Sequence, residues 1–181
     1  SRWTTLLQKN LGENYWIIEE GLNGRTTVWD DPIEGDKNGR RHLPILLESH
    51  RPLDLVIIML GTNDLKARFR VSALEIAQSA GTLVEMVKRS NAGREGNPPS
   101  VLLIAPPPLG KLTIWKEEFE GGIEKSQKLA HYYSYFAQAN QCHFFDAGKV
   151  VKTSDIDGIH WEDSANRQFA EALREKIKDI L

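Results

Sequence analysis

The chain has 181 residues, of which 40% are hydrophobic and 27% are charged, and its formal net charge is −2. A chain of this length can bury one sizeable core, so we expect a single domain over residues 1–181. The small net charge provides no basic field that would attract nucleic acid or an anionic membrane, and we expect neither as a partner. Cys142 is the single cysteine and no long apolar run occurs. We therefore expect a cytoplasmic protein without disulfides or membrane spans.

Predicted helices and strands alternate along the chain. Apolar residues at helical spacing predict helices, and short apolar runs bounded by turn residues predict strands. We expect helices over 3–11, His42–Ser49, Ser72–Ser90, Gly122–Asn140 and 164–181. We expect strands at Tyr15–Glu19, Leu55–Leu60, Val101–Ala105 and His143–Phe145, and a polar excursion over the surface at Trp29–Arg41. This order predicts an α/β fold, a three-layer α/β/α sandwich on a parallel sheet.

Three polar motifs follow predicted strands. Asn23-Gly24 comes after the first strand, Gly61-Thr62-Asn63-Asp64 comes after the second, and Asp157-Gly158-Ile159-His160 lies in the loop after the last. Each motif alone is typical of a turn, and Asp64 is as well explained by a turn as by a role in holding its loop. However, ligands bind beyond the carboxyl ends of the strands in a parallel sheet, so three such motifs at one edge predict a site.

The residue types at this edge are suited to acyl transfer. His160 can act as a general base while Asp157 orients its ring. The side-chain amide of Asn63 and the backbone N–H of Gly24 can donate to the oxyanion of a tetrahedral intermediate. The nucleophile that would act together with His160, Asp157 and the two oxyanion donors is missing from the motifs of this chain.

These motifs resemble the sequence blocks of the SGNH hydrolase superfamily, the GDSL esterases and lipases, and most of all its arylesterase/acyltransferase branch. The resemblance assigns Gly24 and Asn63 to the oxyanion hole, His160 to the catalytic base and Asp157 to the catalytic aspartate that orients it. Further similar segments are 54–60, 105–108 and 144–148. The resemblance implies a flavodoxin-like parallel sheet. It also implies a serine esterase that hydrolyses small aryl or alkyl esters through an acyl-enzyme, with acyl transfer to alcohols as a further activity.

The sequence departs from the superfamily at the first block, because no strand leading into Gly-Asp-Ser is present. In the superfamily this central first strand carries the nucleophilic serine and lies between the strands matched here by Tyr15–Glu19 and Leu55–Leu60. Without it, both strands would leave backbone N–H and C=O groups unpaired. We therefore expect the natural protein to extend upstream of Ser1, so that the domain over 1–181 is N-terminally incomplete.

Several side chains near the predicted edge are candidates for the wall of an acyl or alcohol pocket: Lys66, Phe69, Trp115, Phe119 and Ile159. Packing of a lid or of a subunit contact explains the aromatic residues equally well. The resemblance implies a small ester as substrate, water or an alcohol as acceptor, and a homo-oligomer. We expect no cofactor and no metal, since the remaining histidines lack partners at ligand spacing.

Other functions remain open from the sequence. A thioesterase, a lysophospholipase or a carbohydrate deacetylase would use the same superfamily fold, and fold alone does not choose between them. A non-catalytic binding module that lacks the serine would keep the same cleft. A nucleotide-binding flavodoxin-like domain is less favoured because no glycine-rich phosphate loop follows a strand.

Overall fold

The protein is described by a computed structural model that covers every residue from Ser1 to Leu181. Its helices are α1 (Trp3–Leu11), α2 (Gly39–His50), α3 (Ala73–Lys88), α4 (Gly122–Ala139) and α5 (Asp163–Lys178), and its strands are β1 (Leu55–Ile58), β2 (Ser100–Ala105) and β3 (His143–Asp146). The strands form a parallel sheet in the order β1-β2-β3. The predicted α/β fold is therefore confirmed.

The two faces of β2 define the layers. Leu102 and Ile104 face one way and join the core cluster formed with α1 and α5. Val101, Leu103 and Ala105 face the other way and join the cluster formed with α3 and α4. Because side chains alternate along a strand, one central strand serves both cores, and the result is the predicted three-layer sandwich.

Side-chain caps set the starts of two helices. The Ser72 hydroxyl accepts from the Glu75 N–H and the Glu75 carboxylate accepts from the Ser72 N–H, which is a capping box at the start of α3. The Asn38 side chain accepts from the Arg40 N–H at 3.0 Å and caps α2. Helix α2 therefore begins at Gly39, earlier than the predicted start at His42, because Asn38-Gly39 is a helix cap and not a free turn.

The predicted strand at Tyr15–Glu19 is wrong, since the structure has no strand there. The amide group of Gln8 in α1 donates to the Tyr15 carbonyl at 2.8 Å and accepts from the Ile17 N–H at 2.7 Å. A strand needs a neighbouring backbone as its partner, and here a side chain takes that place. The segment is therefore irregular despite its apolar residues.

Strand β1 is less buried than the central strand β2. Of its four residues only Ile58 is buried, whereas all of β2 after Ser100 is buried. Strand β1 pairs with β2 on one side and with no strand on the other, so it is an edge of this sheet.

The carboxyl ends of the strands lead to the polar motifs. Strand β1 continues through Gly61 into two short 3₁₀ turns, Asn63–Leu65 and Ala67–Phe69. Strand β3 continues through the turn Ala147–Lys149 into the segment that carries Asp157 and His160. Because parallel strands end at the same edge, these motifs share one edge of the sheet. None of the helices combines the length and the apolar character needed to cross a bilayer.

Candidate active site

Asp157 fixes both the backbone and the ring of His160. Its Oδ2 lies 2.6 Å from His160 Nδ1, and its Oδ1 accepts from the N–H groups of Ile159 at 2.8 Å and His160 at 2.9 Å. Burial alone would raise the pKa of Asp157, but the hydrogen bonds from His160 and Ile159 outweigh it and hold that pKa below its usual value. The carboxylate is therefore ionised at neutral pH and can orient an imidazole and stabilise its charged form.

The other ring nitrogen of His160 faces solvent. The side chain is 73% exposed, and Asp157 is its only side-chain partner. No serine hydroxyl of the chain is hydrogen-bonded to the ring. Nε2 is therefore free to accept a proton from a group that approaches from outside the described residues.

Ser154 holds together the two ends of the loop that carries Asp157 and His160. Its N–H donates to the His160 carbonyl at 2.7 Å, and its carbonyl accepts from the Gly158 N–H at 2.8 Å. Its hydroxyl donates to Glu162 Oε1 at 3.0 Å and accepts from the Ile156 N–H at 3.1 Å. Ser154 is buried, with 8% of its surface exposed. Sequence reasoning did not identify this role, because a serine three residues before an aspartate carries no pattern.

A second segment supports the same loop from outside. The Gly110 N–H donates to the Gly158 carbonyl at 2.8 Å, and the Thr113 hydroxyl donates to the Ile156 carbonyl at 2.7 Å. Gly158 has φ 80°, and a Cβ there would lie 2.6 Å from the Lys111 carbonyl oxygen. The close approach of the two segments therefore requires glycine at position 158.

Gly24 and Asn63 lie on two loops that are hydrogen-bonded to each other. Asn63 Nδ2 donates to the Arg25 carbonyl at 3.1 Å, which leaves its second N–H free. The N–H of Gly24 donates to no acceptor in the protein, and its φ of 78° suits glycine. Two unpaired donors therefore lie on adjacent loops, as an oxyanion hole requires.

Asp64 joins the same two loops from the interior. Its carboxylate accepts from the Thr27 backbone N–H at 3.1 and 3.2 Å, and also from the Thr27 hydroxyl. Burial raises the pKa of Asp64 to about 6, although the bonds from Thr27 act in the opposite direction. Of the two interpretations of Asp64, the structure favours the one in which it holds its loop.

The two halves of the candidate site share an edge without a direct polar contact. No hydrogen bond or ion pair joins His160 to Gly24 or Asn63. Ile159 and Phe69, one from each half, pack against the core cluster that contains Leu65 and Phe119. The hydrophobic core therefore supports both halves at this edge.

The five candidate pocket residues differ in exposure. Lys66 and Phe119 are buried, Phe69 and Ile159 are half-buried, and Trp115 is 39% exposed. The ammonium group of Lys66 is paired with Glu34 and Glu118. No cluster of three His, Cys, Asp or Glu side chains that could hold a metal ion is present.

Comparison with known proteins assigns the family. The profile of the GDSL-like lipase/acylhydrolase family matches residues 1–175. The native aryl esterase of M. smegmatis is 45% identical, with a TM-score of 0.95 over 99% of this chain and 86% of that one. Est24, a carbohydrate acetylesterase from Sinorhizobium meliloti, is 43% identical, with a TM-score of 0.95 and the same coverage of both chains.

A more distant match is informative about the fold alone. The lipase/acylhydrolase from Enterococcus faecalis is 18% identical, with a TM-score of 0.58 over 86% of this chain and 72% of that one. No curated protein sequence gives a significant match.

Proposed function

Since the chain belongs to the GDSL-like lipase/acylhydrolase family, an SGNH-type hydrolase, we propose that it hydrolyses small aryl or alkyl carboxylic esters through an acyl-enzyme. The observation that carries this proposal is the Asp157–His160 pair at 2.6 Å, at the same edge as the two unpaired donors of Gly24 and Asn63. Transfer of the acyl group to an alcohol is part of the proposal, because an alcohol can take the place of water in the second step.

Each group has one role in the proposed reaction. His160 Nε2 takes the proton of the nucleophilic hydroxyl as its oxygen attacks the ester carbonyl, and Asp157 stabilises the imidazolium that forms. The Gly24 N–H and the Asn63 amide donate to the oxyanion, and each such donor typically contributes about 2.7–4 kcal/mol. The imidazolium then protonates the leaving alcohol. Water or an acceptor alcohol then attacks the acyl-enzyme while His160 takes its proton. His160 returns that proton to the nucleophile's oxygen as the carboxylic acid or the new ester leaves.

The nucleophile in this proposal is a serine outside the 181 described residues. His160 has no serine partner within the chain, and β1 has a free edge, since it pairs with β2 alone. A further parallel strand on that edge would satisfy its backbone groups and would end beside Asn63 and His160. We propose that this strand carries the serine.

The proposed acyl or alcohol pocket is walled by five side chains around this edge: Lys66, Phe69, Trp115, Phe119 and Ile159. Four of these side chains are apolar or aromatic (Phe69, Trp115, Phe119 and Ile159), and such a lining suits a short acyl chain better than a charged substrate. We also propose a homo-oligomer, because several large apolar side chains such as Trp16 and Ile114 are 85% and 75% exposed. A cytoplasmic location remains part of the proposal on the basis of the single free Cys142.

One alternative substrate class has a specific observation in its favour. The 43% identity to a carbohydrate acetylesterase supports acetylated sugars as substrates of the same site. Comparison of kcat/KM for p-nitrophenyl acetate, for acetylated sugars and for long-chain thioesters would separate these substrates.

Labelling of the natural full-length protein with a fluorophosphonate tests the proposal. We expect one adduct, mapped by peptide mass spectrometry to a serine upstream of Ser1, together with hydrolysis of p-nitrophenyl acetate. His160→Ala should reduce both by about 10²–10⁴-fold, because the general base is lost. His131→Ala, at an exposed position of helix α4, is the matched control and should leave both the labelling and the hydrolysis unchanged. A folded protein without adduct or hydrolysis would overturn the proposal.

A further inference from the structure

Five charged side chains form a largely buried cluster behind the Gly24 loop. Arg68 donates at 2.9 Å to each of Asp31, Glu34 and Glu118. Lys66 is paired with Glu34, and its Nζ lies 3.3 Å from Glu118 Oε1. The side chain of Lys66 is only 5% exposed and that of Asp31 is fully buried. The side chains of Glu34 and Glu118 are 32% and 25% exposed, so three carboxylates and two cations share a cluster that is buried at Asp31 and Lys66 and open to water at its other end.

One carboxylate of this cluster lies directly against Gly24. A Cβ added to Gly24 would collide with Glu34 Oε2 and would lie 3.3 Å from Lys37 Cε. The other oxygen of the same carboxylate, Oε1, faces Lys66 and Arg68. Glu34 therefore bridges the two cations and the residue whose N–H is the proposed oxyanion donor.

Glu34 is ionised in this position. The hydrogen bond from Lys66 is the largest influence, and it holds the pKa of Glu34 below its usual value despite partial burial. A bare negative charge next to Gly24 would oppose the oxyanion that forms there. The two cations on Oε1 counter that charge.

We propose that Lys66 is a positioning residue that pairs with Glu34 beside Gly24, so that the ester oxyanion develops next to a carboxylate whose charge is already engaged by a cation. This inference rests on the proposed function. It changes the role of Lys66 in the pocket, because the ammonium group acts through Glu34 and does not contact the substrate. The family comparison does not assign either residue such a role.

A double-mutant cycle on the natural full-length protein tests this coupling. Lys66→Met keeps the length of the buried side chain and removes its charge, and Glu34→Gln removes the charge that Lys66 balances. We expect Lys66→Met to lower kcat/KM for p-nitrophenyl acetate about 10- to 100-fold in the wild-type background, mainly through kcat. In the Glu34→Gln background the same change should cost at least tenfold less.

Urea unfolding of all four proteins separates this effect from a structural one. A loss of stability that follows the loss of activity through the cycle would overturn the inference, and so would an equal cost of Lys66→Met in both backgrounds. Arg94→Met is the control, since Arg94 pairs with Asp54 on the exposed surface before β1 and should leave kcat/KM unchanged. If Lys66→Met does not fold, Arg68→Met removes the other cation from Glu34 and completes the same cycle.

The cycle also distinguishes this inference from the proposed function. A wild-type protein that neither hydrolyses p-nitrophenyl acetate nor reacts with a fluorophosphonate would overturn both. An active wild-type protein without coupling between Lys66 and Glu34 would overturn the inference alone.

Discussion

Asp64 accepts hydrogen bonds from both the backbone N–H and the hydroxyl of Thr27, a residue 37 positions earlier in the chain. Asp64 directly follows Asn63, and Thr27 lies three residues after Gly24. The interaction therefore connects the two loops that supply the proposed oxyanion donors. Because two donors act on one oxygen only if their spacing is fixed, this buried pair sets the geometry of the hole.

Replacement of Thr27 tests this connection. Thr27→Val keeps the shape of the side chain and removes the hydroxyl donor from a buried carboxylate, so we expect the free energy of unfolding to fall by about 1.5–3 kcal/mol. We also expect kcat to fall about tenfold, because small displacements of catalytic donors are costly. Urea unfolding and p-nitrophenyl acetate kinetics measure the two effects. Thr27→Ser retains the hydroxyl and should keep most of the wild-type stability and most of the wild-type kcat. If the Ser and Val variants lose stability and kcat equally, the hydrogen bond to Asp64 is not the cause.

The raised pKa of Asp64 predicts a pH dependence of stability. Folding raises this pKa from 3.8 to about 6, mainly through burial. Between these values the folded state holds a proton that the unfolded chain has released, so the contribution of Asp64 to stability is complete below about pH 4 and is lost as the pH rises through about 6. Asp64→Asn cannot titrate. Its free energy of unfolding relative to wild type should therefore rise by about 2–4 kcal/mol between about pH 4 and pH 7.

Urea titrations of both proteins at several pH values measure this difference. A difference that does not vary with pH would show that Asp64 keeps the same charge in the folded and unfolded states. The opposite slope is expected from Asp157, whose lowered pKa contributes stability that is lost as the pH falls.

The sequence was sufficient to predict most of the fold because its signals are local. Helices α1, α3 and α4 follow apolar periodicity, and β2 is an apolar run with β-branched residues between turn residues. The error at Tyr15–Glu19 has a physical reason, since whether an apolar segment becomes a strand depends on a neighbouring backbone that local sequence does not describe. Strand β1 is half-exposed for a related reason, since it has a neighbouring strand on one side only.

The candidate site was predictable only where its residues form a motif. Gly24, Asn63, Asp157 and His160 were found from short patterns after predicted strands. In the structure Asn63 donates to Arg25, the neighbour of Gly24, and Asp157 pairs with His160 on one loop. Glu34 and Ser154 were not found, because their roles depend on contacts across the fold. Glu34 reaches Lys66 from 32 positions away, and the polar excursion that contains it shows no periodicity. Long-range pairs of this kind become visible only in three dimensions.

Gly24 offers a comparison between two glycines with similar backbone angles. Gly24 has φ 78° and Gly12 has φ 81°, but a Cβ would collide with Glu34 at Gly24 and meets nothing within 4 Å at Gly12. Gly12→Ala should therefore cost only the strain of its backbone conformation (φ 81°, ψ −167°), about 1–3 kcal/mol of stability, with unchanged kcat. Gly24→Ala should in addition displace Glu34 or the loop and lower kcat by about 10²-fold or more. Equal kcat values in the two variants would remove Gly24 from the oxyanion hole.

Ser154 holds the loop that carries His160 without contacting the imidazole ring. Ser154→Ala removes the bonds of its hydroxyl with Glu162 and Ile156 but keeps the backbone bonds to His160 and Gly158. The loop should then sample orientations in which Nε2 of His160 is displaced, so we expect kcat to fall about tenfold with little change in KM. Ser164→Ala, an exposed serine in α5, is the matched control and should retain wild-type kinetics. Ser154→Thr restores a hydroxyl and should recover part of the loss; a Thr variant no better than the Ala variant would show that bulk at this position, and not the hydrogen bonds, limits the reaction.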